Sequence, residues 1–207
     1  MKKRILSLVL AVFLVTLSSC KIVDERAPFS LGSVSENKYT NEFLGVTASF
    51  SDKWTFMSEE EMKELNKITE ELLPEETLKQ LESAEVIQDM QGTNSATGAS
   101  VGVNFENLKL LGTLSLNEEK YLSAQTDAVK ESLSHMGLQN LSVEVVDVTF
   151  AEREAKALRV EATLSGMNFY EYVVAVKEGS YMANITVAGM SDDELKGIIG
   201  LFKPIEE

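Results

Sequence analysis

The chain has 207 residues, of which 44% are hydrophobic and 25% charged, so it is long and apolar enough for one folded domain. The formal net charge of −14 excludes nucleic acid as a partner, because an acidic surface repels phosphate groups. One cysteine excludes an internal disulfide, so we expect the hydrophobic core alone to stabilise the fold.

The first 17 residues have the pattern of an export signal. Lys2, Lys3 and Arg4 are followed by an apolar run over 5–17. A membrane-spanning helix needs about 20 apolar residues, so this run is too short to stay in the bilayer. We expect it to be removed, and loss of these three cations from a chain of charge −14 leaves −17.

A cysteine motif closes the export signal. The sequence Leu17-Ser18-Ser19-Cys20 resembles the lipobox of bacterial lipoproteins. The resemblance implies that residues 1–19 are a signal peptide and that Cys20 receives diacylglycerol and becomes the new N-terminus. Two or three acyl chains anchor a protein stably. The prediction is a cell-membrane protein, lipid-anchored on the extracytoplasmic side. The alternative is a buried free cysteine.

The segment after Cys20 has no sustained hydrophobic period. Residues 20–38 are therefore predicted to be the lipidated cysteine and a flexible tether, and residues 39–207 a single domain. The domain opens with a predicted strand pair over Tyr39–Phe56, in which Trp54 is expected to anchor the core.

A helical region is predicted next. Ser58 and Glu61 have the spacing of a capping box, which marks the start of a helix. Pro74 interrupts its apolar period, so a second helix is expected to follow and to continue toward Met90. The polar residues of Gln91–Gly98 then predict a loop.

The next elements are a strand and a long helix. Ala99–Leu110 is predicted as a strand, with Val101, Val103 and Phe105 on one face. Ser115 and Glu118 have capping-box spacing, and Gly137 is suited to ending the helix.

The C-terminal part is predicted to be a four-strand meander. Alternating apolar residues run from Leu141 to Ala188, with turns such as Ser165-Gly166. Ser191 then caps a helix whose apolar face includes Phe202 and which Pro204 ends. Because strands and helices are segregated, the fold class is α+β, a mostly antiparallel sheet with helices packed on it.

The order of elements resembles the PsbP-like α/β/α sandwich. The similar parts are the opening hairpin, from Leu44-Gly45-Val46 through Phe50 to Trp54, and the ending, from Ile185-Thr186-Val187 to Phe202. The likeness is one of pattern over Tyr39–Phe202. It implies a mostly non-enzymatic protein that docks to larger complexes. Some members bind metals through histidine and acids, but this chain has only His135.

Catalytic and cofactor motifs are missing from the sequence. His135 is the only imidazole, there is no G-x-S-x-G elbow, and Cys20 is committed to lipid. We find no zinc, calcium or phosphate motif, so no metal, cofactor or catalytic residue is predicted. The 33 acidic residues leave a carboxylate pair open as a third, hydrolase hypothesis.

Two other hypotheses rank above a hydrolase. The first is a non-enzymatic protein-binding or assembly module with an envelope protein as partner, which an apolar or aromatic patch near the Tyr170–Tyr172 strand or the Met62–Leu81 helices would favour. The alternative is a small-ligand-binding lipoprotein that uses a pocket between sheet and helices.

Overall fold

The computed structural model describes residues 29–58, 60–62 and 86–206. The predicted export signal, Cys20 and the predicted helical positions 63–85 lie outside these residues. The described part contains two antiparallel sheets and three helices of at least four residues.

The smaller sheet has four strands in the order β1-β2-β3-β11. Its strands are β1 (Ser33–Ser35), β2 (Lys38–Asn41), β3 (Val46–Ser49) and β11 (Phe202–Pro204). The larger sheet has seven strands in the order β4-β5-β6-β10-β9-β8-β7. Its strands are β4 (Trp54–Phe56), β5 (Ile87–Asn94), β6 (Ser100–Asn107), β7 (Gln139–Phe150), β8 (Arg153–Leu164), β9 (Met167–Glu178) and β10 (Tyr181–Gly189).

The helices cover both faces of the large sheet. They are α1 (Leu108–Leu111), α2 (Glu118–His135) and α3 (Asp192–Ile199). Helix α2 packs on β7, β8 and β9, and we call this side of the sheet the α2 face. Helix α3 and the four-stranded sheet pack on the other side, which we call the small-sheet face.

Two apolar clusters fill these interfaces. On the α2 face, Leu122 and Leu133 of the helix meet Leu158 and Val160 of β8. On the small-sheet face, Phe202 of β11 joins a cluster of aromatic rings. Strand alternation supplies both clusters, since successive side chains point to opposite faces. The architecture is α+β, mostly antiparallel with helices packed on sheets, as the sequence predicted.

Several predicted elements are confirmed. The meander β7–β10 is continuous and antiparallel, with Ser165 and Gly166 at one turn, both at positive φ. Ser191 caps α3 by accepting a hydrogen bond from the Glu194 amide. The Ser58 capping box is present: its amide donates to Glu61 Oε2 at 2.8 Å, and residues 60–62 are helical.

The prediction of a flexible tether over residues 20–38 is wrong for the second half of that range. Residues 33–35 and 38–41 are strands of the small sheet. The Phe29 ring stacks on Tyr181 with centroids 4.2 Å apart and lies 5.0 Å from Phe105. This segment has few apolar residues and no period, so its contacts with distant strands were invisible in the local pattern.

The opening strand pair is also wrong. Tyr39–Phe56 contributes to three strands, and β4 belongs to the seven-stranded sheet while β2 and β3 belong to the small one. The polar turn at Ser51–Lys53 is where the chain passes from one sheet to the other. A composition rich in turn residues marks a bend but does not specify which sheet the next strand joins.

The helix predicted to continue toward Met90 and the first half of the loop predicted over Gln91–Gly98 are wrong, because β5 runs from Ile87 to Asn94. The second half of that loop is confirmed, since residues 95–97 form a turn and residue 98 lies in no strand. The side chains of β5 are mostly polar and the strand contains Gly92, a composition that is typical of a loop. Gly92 is needed there because a Cβ atom would come within 2.7 Å of the Phe56 ring. The next predicted strand ends early, since Leu108–Leu111 forms α1.

Two helix boundaries need correction. Asn117, not Ser115, caps α2, since its side chain accepts a hydrogen bond from the Lys120 amide at 3.0 Å. Helix α3 ends at Ile199, so Phe202 and Pro204 lie in strand β11. Proline is tolerated there because β11 is the last strand of the small sheet.

Candidate interaction site

The two edges of the seven-stranded sheet differ in length. Strand β4 closes one side and has three residues, whereas β7 closes the other and has twelve. Among the described residues β7 pairs only with β8, so the N–H and C=O groups on its outer side have no strand partner there. An edge of this kind is a template for adding another strand.

Strand β7 is regular over most of its length. The pairing with β8 runs without interruption from Ser142, opposite Glu161, to Phe150, opposite Arg153. The one irregularity lies between Gln139 and Ser142, where Asn140 has a positive φ of 53°. The stretch from Ser142 onward therefore keeps the extended geometry that a further strand needs.

The side chains of β7 are apolar on both faces of the sheet. Leu141, Val143 and Val145 contribute to the cluster under α2, and Val146 and Val148 pack against the small-sheet face. All five are only half-buried, because β8 covers them from one side. The exposed positions between them carry the polar side chains Ser142, Glu144, Asp147 and Thr149.

An ion-pair network lies beside this edge on the small-sheet face. Glu144 of β7 contacts Arg159 Nη1 at 3.3 Å, and Arg159 Nε donates to Tyr172 Oη at 3.0 Å. Tyr172 Oη donates in turn to Asp192 Oδ1 at 2.7 Å, and Lys196 pairs with the other oxygen of Asp192 at 2.6 Å. The network connects β7, β8 and β9 to the first turn of α3.

The other face of the edge carries a separate ion pair and a cleft. Asp147 accepts from Lys156 Nζ at 2.7 Å, and the hydrogen bond raises the pKa of Lys156. A half-open cleft of about 380 Å³ lies against this pair, between Glu118 of α2 and Lys177 of β9. Lys177 Nζ already donates to the Leu114 and Leu116 carbonyl oxygens at 2.6 and 2.8 Å. The lining of the cleft therefore contains both cationic and acidic side chains.

Two buried carboxyl groups lie on the α2 face. Burial raises the pKa of Glu106 and of Glu171 to about 8 each. Glu106 stands opposite Met182 of β10, and Glu171 stands opposite Ala188 of the same strand. Six residues at about 3.3 Å each separate those positions, so the two carboxyl groups are about 20 Å apart. They do not face each other as a hydrolase pair does.

Glu106 belongs to a buried polar cluster between β6, β10 and α2. The side-chain nitrogen of Asn184 lies 2.9 Å from Tyr121 Oη and 3.3 Å from Glu106 Oε1. Glu106 Oε2, Asn184 Oδ1 and both polar atoms of Gln125 have no hydrogen-bond partner among the described residues. Burial raises the pKa of Tyr121, and the negative charge of Glu106 raises it further. The cluster is enclosed, since its side chains are at most 2% exposed.

The residues singled out from the sequence have ordinary surroundings. Trp54 is buried against Phe50 and Phe56, as predicted for a core anchor. The His135 side chain is 79% exposed and has Glu131 at 3.7 Å. Tyr172 is buried and Tyr170 half-buried, so they form no exposed aromatic patch. Cys20, the predicted lipidation site, lies outside the described residues.

Sequence reasoning missed the features of this region that matter most. The strand from Leu141 onward was predicted, but its position at the sheet edge depends on pairing that no local pattern encodes. The sequence offers only a weak sign of an unprotected edge. The run 139–150 lacks both lysine and proline, residues that often protect edge strands. In the described part of the chain, no three histidine, cysteine or acidic side chains form a metal-binding group.

No protein-family model and no curated protein sequence matches the chain. The solved structures that resemble it include LpqN, which is involved in cell envelope biogenesis of Mycobacterium tuberculosis. That match has a TM-score of 0.39 and 9% identity and covers 75% of this chain and 76% of LpqN.

A protein from Bacteroides thetaiotaomicron has a TM-score of 0.38 and 9% identity over 84% of this chain. The match spans half (50%) of that protein's length. None of the helices that the structure describes has the length and apolar character to cross a bilayer. The resemblance to PsbP-like sandwiches stays a prediction.

Proposed function

We propose that the protein is a lipid-anchored module of the bacterial cell envelope that binds another envelope protein and catalyses no reaction. The location is supported by the cationic start of the chain, the apolar run over 5–17 and the Leu17-Ser18-Ser19-Cys20 motif. A mature chain of charge −17 repels anionic lipid headgroups overall, so the acyl chains on Cys20 supply the attachment.

The single observation that supports binding is the free edge of β7. The strand is twelve residues long, is paired on one side among the described residues, and carries half-buried aliphatic side chains on both faces. Adding a strand is a common way for a sheet protein to bind an extended segment. Ion pairs join Glu144 and Asp147 of this strand to Arg159 and Lys156 of β8.

The absence of catalysis is supported by the arrangement of titratable groups. Among the described residues, Glu106 and Glu171 are the carboxyl groups whose pKa is raised to about 8, and they lie about 20 Å apart along the sheet. Both are buried, so neither can contact a substrate without movement of the elements that cover it. His135 is on the surface and has only Glu131 as a charged neighbour among the described residues.

The alternative function, a small-ligand carrier, is not supported by the interface between α2 and the large sheet. A carrier needs an apolar cavity between sheet and helices. Leu122, Leu133, Leu158 and Val160 fill that interface and are at most 4% exposed. The cleft beside Asp147 is open and charged, which does not suit an apolar ligand.

The anchor is tested by intact mass of the protein from a membrane fraction. We expect a chain that begins at Cys20 and carries the added mass of diacylglycerol. A Cys20→Ala variant should remain unprocessed and unlipidated. A chain cut elsewhere without lipid would contradict the anchor and leave a freely secreted domain with an unpaired thiol.

Binding is tested with a photo-crosslinking amino acid at Ser142, which is exposed on β7. The matched control is Ser134, an equally small exposed residue near the end of α2. We expect one discrete cross-linked envelope protein from position 142 and none from position 134. Equal labelling from the two positions, or no product at position 142, would overturn the proposal.

A further inference from the structure

We infer that the partner contributes an extended strand bearing lysine or arginine side chains, which pairs with the free edge of β7 between Ser142 and Phe150. This inference rests on the proposed function, because it names the chemistry of the segment that the binding module recognises. Three features of the edge support it: the scarcity of residues that block strand addition, the half-buried aliphatic side chains and the two exposed acids.

The edge has little protection against strand addition. Sheet proteins commonly block an exposed edge with proline, lysine or a bulge that twists the strand away. The run 139–150 contains no proline, lysine or arginine, and its irregularity lies at the beginning, before Ser142. The remaining nine residues are therefore available for continuous backbone pairing.

The aliphatic side chains offer a favourable surface for a further strand. Neighbouring strands lie about 4.8 Å apart, so an added strand would cover the open side of Val143, Val145, Val146 and Val148. Cross-strand pairs with such residues each contribute a little to stability. The valines alternate between the two faces of the sheet, which favours a partner strand with apolar residues at both kinds of position.

The exposed charges of the strand determine which partner fits. Glu144 and Asp147 are its only charged residues, and they lie on opposite faces of the sheet. Their side chains are 54% and 79% exposed, although Arg159 and Lys156 of β8 contact them from the inner side. A cation on an added strand would contact each carboxylate from the outer side. An acidic strand would be repelled at both positions.

A second copy of this chain does not provide such a cation. In an antiparallel pair of two β7 strands, each carboxylate faces an uncharged side chain or another carboxylate, whatever the register, because the strand has no basic residue. Two acidic domains would also repel each other. The acids therefore select against self-pairing as well as in favour of a cationic partner.

The first test uses full-length protein in detergent and two synthetic peptides of about nine residues, the length of the free edge. One peptide alternates lysine with valine and threonine, and the other has glutamate in place of lysine. The edge variant combines Glu144→Gln with Asp147→Asn. The matched control combines Asp127→Asn with Glu131→Gln, which removes two exposed acids from α2 and gives the same net charge.

We expect the lysine peptide to bind the wild type and the control equally and the edge variant roughly fivefold more weakly, since exposed ion pairs are individually weak. Added salt should reduce the difference. Equal binding of the glutamate peptide, or equal loss in the control, would overturn the inference. Dimerisation of the wild type that Val145→Pro abolishes would also overturn it and identify a second copy as the occupant.

The second test separates this inference from the proposed function. The cross-link at position 142 is repeated in the edge variant, with the envelope protein as target. A product that weakens in the edge variant but not in the control supports a cationic partner strand. An equally strong product in both would leave the binding function intact and refute the cationic strand.

Discussion

The two faces of the seven-stranded sheet are buried to a similar degree but are built differently. The small-sheet face is apolar and aromatic, with Phe105, Phe150 and Phe202 at most 1% exposed. The α2 face is apolar beneath the middle of α2, but Glu106, Asn184 and Gln125 are also buried there. The first interface is built mainly from ring packing, with buried hydrogen bonds to Asp89 at one place, whereas the second encloses a carboxyl group whose protonation affects the packing around it.

This difference shows that burial alone does not determine how an interface responds to its environment. Apolar packing is insensitive to pH, because no charge is gained or lost in it. A buried carboxyl group links the packing of its neighbours to the binding of a proton. The following changes test the contrast between the two faces.

The largest effect is expected from Phe202→Ala on the small-sheet face. The Phe202 ring contacts those of Tyr39, Phe50 and Phe150, with centroids 6.2, 6.3 and 5.1 Å away. Loss of a buried phenylalanine should lower the free energy of unfolding by about 3–5 kcal/mol, measured by urea denaturation. The loss should not vary with pH. A loss under about 1 kcal/mol would show that β11 is not part of the cooperative core.

The next effect concerns Glu106 on the α2 face. Its pKa is raised from 4.5 to about 8, so the folded state retains a proton that the unfolded state has lost. Stability from this group is present below pH 4.5 and is lost as pH rises through about 8. The slope between these values should be about 1.4 kcal/mol per pH unit.

Glu106→Gln should therefore remove about half of the pH dependence of the unfolding free energy that the two buried carboxyl groups cause, because Glu171, whose pKa is also raised to about 8, keeps its own contribution. Denaturation at several pH values between 5 and 8 measures the slope for each variant. Glu131→Gln, at a surface position of α2, is the matched control and should keep the wild-type slope. An unchanged slope in the Glu106 variant would mean that this carboxyl group ionises in the folded state as easily as in water.

A smaller effect is expected from Asp89→Asn, which affects how the N-terminal segment is held. Asp89 accepts from the Gly32 amide at 2.7 Å, from Tyr39 Oη at 2.5 Å and from the Asn41 side chain at 2.9 Å. Replacing one carboxylate oxygen of Asp89 by an amide nitrogen should lower the free energy of unfolding by about 2 kcal/mol, because buried donors lose their acceptor. Thermal unfolding measures the loss, and Tyr39→Phe should cost less. An equal loss of stability in the Asp89 and Tyr39 variants would contradict the interpretation that all three donors depend on Asp89.

The smallest effect is expected at the beginning of α2. Asn117→Ala removes the acceptor for the Lys120 amide and should cost about 1 kcal/mol. Asn117→Ser should keep most of the stability that the alanine variant loses, because serine also accepts a hydrogen bond in this position. Hydrogen exchange at the first turn of α2 measures the change. Equal exchange in all three proteins would show that another group satisfies these amides.

The parts of the fold that were predictable have a local signal. The run from Leu141 to Ala188 alternates strictly enough to identify four strands and their turns. Ser191 and its three following acids specify the start of α3. These signals succeed because side-chain direction and capping depend on neighbours within a few residues.

The parts that were not predictable depend on contacts between distant residues. Phe202 has the spacing of a helical residue after Leu195 and Ile199, but it pairs with Ala48 in a strand. Strand β5 is polar and becomes a strand because β6 pairs along its whole length. Glu106 follows an apolar strand pattern and becomes buried only when α2 covers it. The candidate edge was unpredictable for the same reason, since strand order is a property of the whole sheet.

The folded N-terminal segment limits how far the domain can move from the membrane. The described structure begins at Phe29, which packs between Phe43, Phe105 and Tyr181. Nine residue steps connect Cys20 to Phe29, and each spans at most about 3.6 Å, so they reach about 30 Å at full extension. With lipid on Cys20, Phe29 would lie at most about 30 Å from the bilayer surface, so the anchored domain would stay close to the membrane.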